Sequence, residues 1–150
     1  MKKKSQFRSG PGATRFGHLQ RLQNVSLTRS LELASAFRQA KALHQAGRLA
    51  EAEKIYGQIL KVQPNHVDSL HLLGVIYYQR GNYAAAVRQS DLSLKVNSKN
   101  AYALYNRGLA LQGLKRLDKA LASYDKALAL KPDMRMPSIT VERAEGPEAI

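Results

Sequence analysis

The side chains able to do chemistry in this sequence are few and scattered. There are four histidines, His18, His44, His66 and His71, and no cysteine. Histidine is the common general base and metal ligand near neutral pH. None of the four falls in an H-E-x-x-H pattern or at recognised metal-ligand spacing. On a helix, His66 and His71 stand on different faces. Glu51 and Glu53 open a helical run, where carboxylates favour the positive dipole end rather than form an acid–base pair. Gly10–Gly12 and Asn106–Gly108 match no phosphate-cradling loop. The absence of cysteine excludes disulfide scaffolds, thiolate zinc sites and cysteine nucleophiles, and nothing points to an oxidising compartment. The expectation is a cytoplasmic chain without catalytic residues, cofactor or metal, which works by binding.

Charge is the outlying property. Across 150 residues, 24 Lys+Arg face 11 Asp+Glu, a net +13. Met1 to Arg29 holds seven basic side chains and no acidic one, while residues 33–134 hold fifteen basic and seven acidic, a net +8. The first 28 residues have little apolar periodicity and contain Ser-Gly-Pro-Gly, so a disordered basic arm is expected there. Such an arm has the charge to meet nucleic acid or an anionic membrane, which is a third functional class. Its arginine-rich, acid-poor composition also resembles an organelle transit peptide. No apolar run approaches a membrane-spanning length, and no apolar h-region follows Met1 to Lys4.

The elements that must position any site come from a repeat of 34 residues. Gly47, Gly81 and Lys115 share a step, as do Ala52, Ala86 and Ala120; Tyr56, Ser90 and Tyr124; and Pro64, Ser98 and Pro132. Ala40, Gly74 and Gly108 form another set. The units are Leu33–His66, Val67–Asn100 and Ala101–Met134. A fixed period of this size marks a stacked solenoid. Each unit divides into two helical runs. Leu70, Leu73, Gly74 and Tyr77 fall on one helical face, and Leu104, Gly108 and Leu111 repeat it, with Arg107 where a leucine is expected. Gly47 and Gly81 suit the left-handed residue that ends a helix, Pro64 and Pro132 bar continuation of the second helices, and Asn65 and Asn100 are placed to cap the first helices that follow. The pattern predicts helices near 29–46, 50–62, 67–80, 84–96, 101–114 and 118–130.

These residues resemble the tetratricopeptide repeat family. The second unit carries Leu70, Leu73, Gly74, Tyr77 and Ala86 at the family positions, and the third carries Leu104, Gly108, Leu111, Ala120, Tyr124, Ala127 and Pro132. The first is weaker in its first helix (Ala36, Gln39, Ala40, Leu43) and clear in its second (Ala52, Tyr56, Pro64). The resemblance implies an all-α superhelix of three helix-turn-helix repeats with a concave groove lined by the first helix of each. It also implies a protein or peptide partner held in that groove. Carried over by position, the groove residues are Ala34, Phe37, Lys41 and His44; Asp68, His71, Val75 and Tyr78; and Tyr102, Tyr105, Leu109 and Gln112. Rings mixed with isolated polar groups suit an extended or helical peptide better than a small metabolite.

The family's chaperone-tail binders hold a peptide carboxylate with Lys, Asn and Arg at set positions. Here the sixth positions read Arg38, Leu72 and Asn106, and the ninth read Lys41, Val75 and Leu109, so no such clamp is expected. Asn106 resembles the groove asparagines of the O-linked sugar transferase repeats, and a repeat segment of a larger sugar transferase is the runner-up reading. The end of the chain carries two further expectations. The final helix bears Leu121, Tyr124 and Leu128 with no capping helix evident after it, which predicts self-association, or poor stability, through the last repeat. Residues 135–150 abandon the repeat where a fourth unit is due. Permitted codons for this stretch spell, in shifted frames, residues like those of Ala101–Arg116, so the tail is expected to be irregular and frameshifted; translating the gene past codon 134 in every frame tests this.

Overall fold

The computed structural model describes residues 11–137. Among them are six α-helices: α1 (Pro11–Gln45), α2 (Leu49–Val62), α3 (Val67–Gln79), α4 (Tyr83–Val96), α5 (Ala101–Gly113) and α6 (Leu117–Leu130). The odd-numbered helices open the units and the even-numbered ones close them. Each helix packs on the next in the chain, and α3 also meets α5, whereas no comparable packing joins α2 to α4 or α4 to α6. The stack therefore closes between α3 and α5, and the even-numbered helices are separated by furrows.

The same turn is built three times. Gly47 (φ 77°), Gly81 (φ 75°) and Lys115 (φ 61°) are left-handed and reverse the chain within each unit. The amide of each donates to a carbonyl three residues back (His44, Tyr78, Gln112), and the next amide reaches five back (Leu43, Tyr77, Leu111), all at 2.8–3.0 Å. These bonds satisfy carbonyls that a helix end otherwise leaves open. Lys115 holds a conformation that costs a side-chain-bearing residue about 1–2 kcal/mol. Part of that is offset in glycine by its larger unfolded-state entropy. Lys115→Gly is therefore expected to raise stability by roughly 0.5–1 kcal/mol, read from the midpoint of urea unfolding.

The second helices end where expected, at Val62 before Pro64 and at Leu130 before Pro132. Asn100 caps α5 by accepting from the Ala103 amide at 3.1 Å, and Asn82 accepts from Ala85 at 3.3 Å to start α4. The cap of α3 is not Asn65. His66 takes that position, and its Nδ1 accepts from the Ser69 amide at 3.2 Å. An imidazole nitrogen presents the same acceptor as an asparagine oxygen.

The core lies between the two layers. Ala40, Ala52, Tyr56, Ile59, Leu73 and Ile76 form one buried cluster, and Leu111, Ala120 and Tyr124 another. Small residues in the odd-numbered helices face larger ones behind them. A Cβ built on Gly108 would fall 2.6 Å from Cδ1 of the Tyr124 ring, so only glycine admits that ring. Tyr124 is thus an interior residue at 3% exposure and does not belong to the open end of α6. Met136 lies against the same cluster, and among the apolar residues of α6 Leu130 stays exposed.

The boundary of the basic arm also differs. α1 is continuous from Pro11 rather than from near residue 29, so residues 11–28 are helical; residues 1–10 lie outside the described part. No proline interrupts the stretch from Gly12 to Gln63, and a helix anchored on α2 at its far end propagates at little cost per residue. Leu19 and Leu27 of the extension are 56% and 62% exposed. No apolar stripe in the sequence announced it. The expected frameshifted tail lies almost wholly outside the described residues, beyond Pro137.

Candidate peptide-binding groove

The odd-numbered layer places Phe37, Lys41 and His44 on α1, Asp68, His71, Val75 and Tyr78 on α3, and Tyr102, Tyr105, Asn106, Leu109 and Gln112 on α5. Their rings are backed by aromatics of other elements. Phe37 leans on Tyr56 (centroids 6.0 Å) and His66 (5.1 Å), Tyr78 on Tyr83 (5.5 Å), and Tyr105 on Tyr124 (5.9 Å). Edge-on and tilted pairs at such distances add about 0.5–1.5 kcal/mol beyond burial. Phe37, Tyr78 and Tyr105 are accordingly half-buried, Tyr105 resting on α6 and Tyr78 on α4, while Phe37 meets both α2 and the cap of α3. Val75 and Leu109 are half-buried, and Ala34, Asp68 and Tyr102 are exposed.

Four polar candidates are held by side-chain hydrogen bonds. His44 Nε2 donates to Gln79 Oε1 at 2.9 Å, joining α1 to α3. Asn106 Nδ2 donates to His71 Nδ1 at 3.1 Å, joining α5 to α3. The Tyr124 hydroxyl donates to Gln112 Oε1 at 3.0 Å. Two further groups lie together at one end of the groove. Lys41 makes no ion pair among the described residues, and its Nζ sits 5.8 Å from the Phe37 centroid, over a ring face that attracts cations. The Tyr56 hydroxyl is buried with no hydrogen-bond partner. Both residues line a recess of about 340 Å³ together with His44, Gln45, Leu72 and Gln79.

Sequence reasoning took Tyr56 for a filler between units and passed over Gln45 and Gln79. The available signal was Ala40: a small residue in α1 at the level of a second-helix tyrosine lets the phenol reach toward the groove. Burial pushes the Tyr56 hydroxyl up to about 12, so it is a neutral donor at any physiological pH. At the far end, Lys131 Nζ donates to the Tyr102 hydroxyl at 2.6 Å and lies 4.7 Å from its ring centroid, which raises the lysine pKa.

His71 is the titratable centre of the groove. Burial holds its pKa below the ordinary 6.5, with Asp68 pulling the other way. The unfolded chain then takes up a proton more readily than the folded one, so stability present above pH 6.5 falls as the pH drops toward the folded pKa. Urea midpoints are expected to decline between about pH 7.5 and about pH 5. His71→Gln should flatten that part of the profile.

Six helices in register, reversed by left-handed residues one period apart, match known proteins. The tetratricopeptide repeat model matches residues 37–93 and again residues 101–134, together more than half of the chain. The chain belongs to the tetratricopeptide repeat family. Its repeats are 29% identical over 98 residues to the protein O-mannosyl-transferase TMTC1 of Mus musculus, covering 63% of this chain and 10% of that protein. They are 36% identical over 64 residues to a UDP-N-acetylglucosamine–peptide N-acetylglucosaminyltransferase of Caenorhabditis elegans, covering 43% of this chain and 6% of the other. The chain thus spans about a tenth or less of these curated relatives. Among solved structures, the first repeat domain of Spaghetti (RPAP3) bound to an HSP90 peptide superposes with a TM-score of 0.66 at 20% identity, over 68% of this chain and 81% of that one. An O-GlcNAc transferase from Thermobaculum terrenum superposes with 0.67 at 24% identity, over 69% of this chain and 20% of that one. Both share the tetratricopeptide fold. No helix among the described residues is long and apolar enough to cross a membrane.

Proposed function

We propose that this tetratricopeptide domain is a non-catalytic scaffold of the cytoplasm that holds a partner peptide in its concave groove. The observation carrying this is the recess in which the buried Tyr56 hydroxyl has no partner while Lys41 is free beside it. A buried donor without an acceptor costs about 1–3 kcal/mol, which an acceptor on a bound peptide recovers. Leu72 and the Phe37 ring supply the apolar surroundings, and the rungs His44–Gln79 and His71–Asn106 fix the surface before the partner arrives. That the RPAP3 domain was solved with a peptide supports the same use of the fold.

The test is selection of heptapeptides from a displayed random library on the full chain. Selected peptides should lose affinity about tenfold for Tyr56→Phe and for Lys41→Ala. Tyr56→Phe itself should be as stable as the parent or more so. Peptides that bind both variants as well as the parent would overturn the reading.

A second reading has its own support. The short coverage of two sugar-transferring relatives fits a repeat segment that presents substrates within a larger chain. Peptides selected on the groove would then match acceptor segments of that larger protein. Exposed Leu130 at the end of α6 leaves self-association through the last repeat as a further reading, with light scattering as its test.

A further inference from the structure

The two furrows between even-numbered helices occupy equivalent places in the repeat, yet only one is tied across. Between α4 and α6, Arg107 stands on α5. Its Nε donates to Asp91 Oδ1 at 2.7 Å and its Nη1 donates to Ser123 Oγ at 2.8 Å, so one side chain spans the furrow. One period earlier, between α2 and α4, the corresponding residues are Leu73, Gly57 and Gln89. Leucine and glycine make no such tie, and the Gln89 Oε1 there is buried without a partner. On the α2 side of this furrow lies a recess of about 460 Å³, lined by α2 and by Leu73 and Tyr77 from α3. A Cβ at Gly57 would meet nothing within 4 Å.

The rim of this recess is basic. Lys54 and Lys61 line it from α2, and Arg88 of α4 acts on the Tyr77 hydroxyl in its lining. None of the three is in an ion pair among the described residues. The neighbouring acid, Glu53, is already paired with Arg80. Burial raises the pKa of the Tyr77 hydroxyl, and the charges of Glu53, Arg80 and Arg88 also act on it. Lysines seven apart on one helix are separated by about 10 Å, within reach of acidic side chains flanking a single inserted residue.

We propose that the outer furrow between α2 and α4 docks an acidic peptide segment, which inserts one apolar side chain over Leu73 and Tyr77 and sets its carboxylates on Lys54, Lys61 and Arg88. This site is separate from the concave groove. The apolar lining distinguishes it from a purely electrostatic nucleic-acid surface, whose contacts run along phosphates and need no such recess.

The test uses the full chain and fluorescence anisotropy with a labelled peptide of glutamates around one central phenylalanine. Its companions are the same peptide with alanine at the centre and a single-stranded oligo-dT of equal charge. The phenylalanine peptide is expected to bind about tenfold or more tightly than the alanine peptide. Gly57→Leu fills the recess with a better helix former, so circular dichroism should show the fold retained, and that tenfold preference should vanish. Lys54→Glu combined with Lys61→Glu, both on exposed side chains, should abolish binding of either peptide. Tyr56→Phe in the groove should change neither result. Equal binding of the phenylalanine and alanine peptides, or an unaltered preference in Gly57→Leu, would overturn the proposal. Oligo-dT binding tighter than the phenylalanine peptide would overturn it as well and assign the face to nucleic acid.

Discussion

Gly108→Ala is expected to destabilise the last repeat by about 3 kcal/mol, the upper range for forcing extra volume into a packed core. The added methyl would sit 2.6 Å and 2.9 Å from Cδ1 and Cζ of Tyr124, and that ring has nowhere to retreat. It is 3% exposed, rests against Tyr105 and is held by its bond to Gln112. The register mates sharpen the expectation. At Gly74 the nearest atom is Gln89 Cβ at 3.3 Å, because Ser90 replaces the tyrosine, so alanine there should cost less than 1 kcal/mol. In the first unit Ala40 already lies beside Tyr56, both fully buried. The difficulty at Gly108 thus belongs to the placement of one ring rather than to the position as such. Urea unfolding measures the effect. Combining Gly108→Ala with Tyr124→Ser, which replaces the ring by the serine found at this position in the second unit, should cost less than the sum of the two singles by roughly 1–3 kcal/mol. Strict additivity would show that the ring is not the cause.

Arg107→Ala comes second, with an expected loss of about 2–3 kcal/mol. Truncation removes packing between α5 and its neighbours. It also leaves Ser123, which is 2% exposed, without the guanidinium that now donates to it. Arg107→Leu should behave differently. It restores the apolar residue found at Leu73 in the unit before, and exchange of a partly buried ion pair for a well-packed apolar residue is often neutral. A change within about 1 kcal/mol of the parent is expected. If leucine proves as damaging as alanine, the hydrogen bonds to Asp91 and Ser123 outweigh the packing. Asp91 is substantially exposed, so its share of the loss should be small and should shrink with added salt.

The repeat made the fold legible from residues alone. Glycine or its register mate at 47, 81 and 115, alanine at 52, 86 and 120, and proline at 64 and 132 located every turn within about two residues. What failed were features that a period does not encode. The α3 cap slipped from Asn65 to His66 because asparagine was read as the expected cap, although the register of Asn100 points to His66. The helical extension before residue 29 carries no apolar stripe, so pattern reading had nothing to detect. In the groove, the residues facing inward were readable from position, but their hydrogen bonds were not. His44–Gln79 and Asn106–His71 are each 35 residues apart, one step off the period, and depend on how neighbouring helices slide. Tyr56 is a similar case. Its burial follows from the family position, whereas the missing partner of its hydroxyl follows only from which side chains surround it.

Each helix touches mainly the helix next to it in the chain, and the broadest longer reach is from α3 to α5. Wiring of this kind has low contact order, so no segment waits for a distant one before it gains its partners, and fast folding follows. It also means that the structure opens in graded steps. Amide protons of α3 and α4, with neighbours on both sides, should exchange slowest, while those at the two ends exchange through shallow local openings. A partner that spans two or more repeats then acts as a splint: it couples segments that the chain itself joins only in sequence.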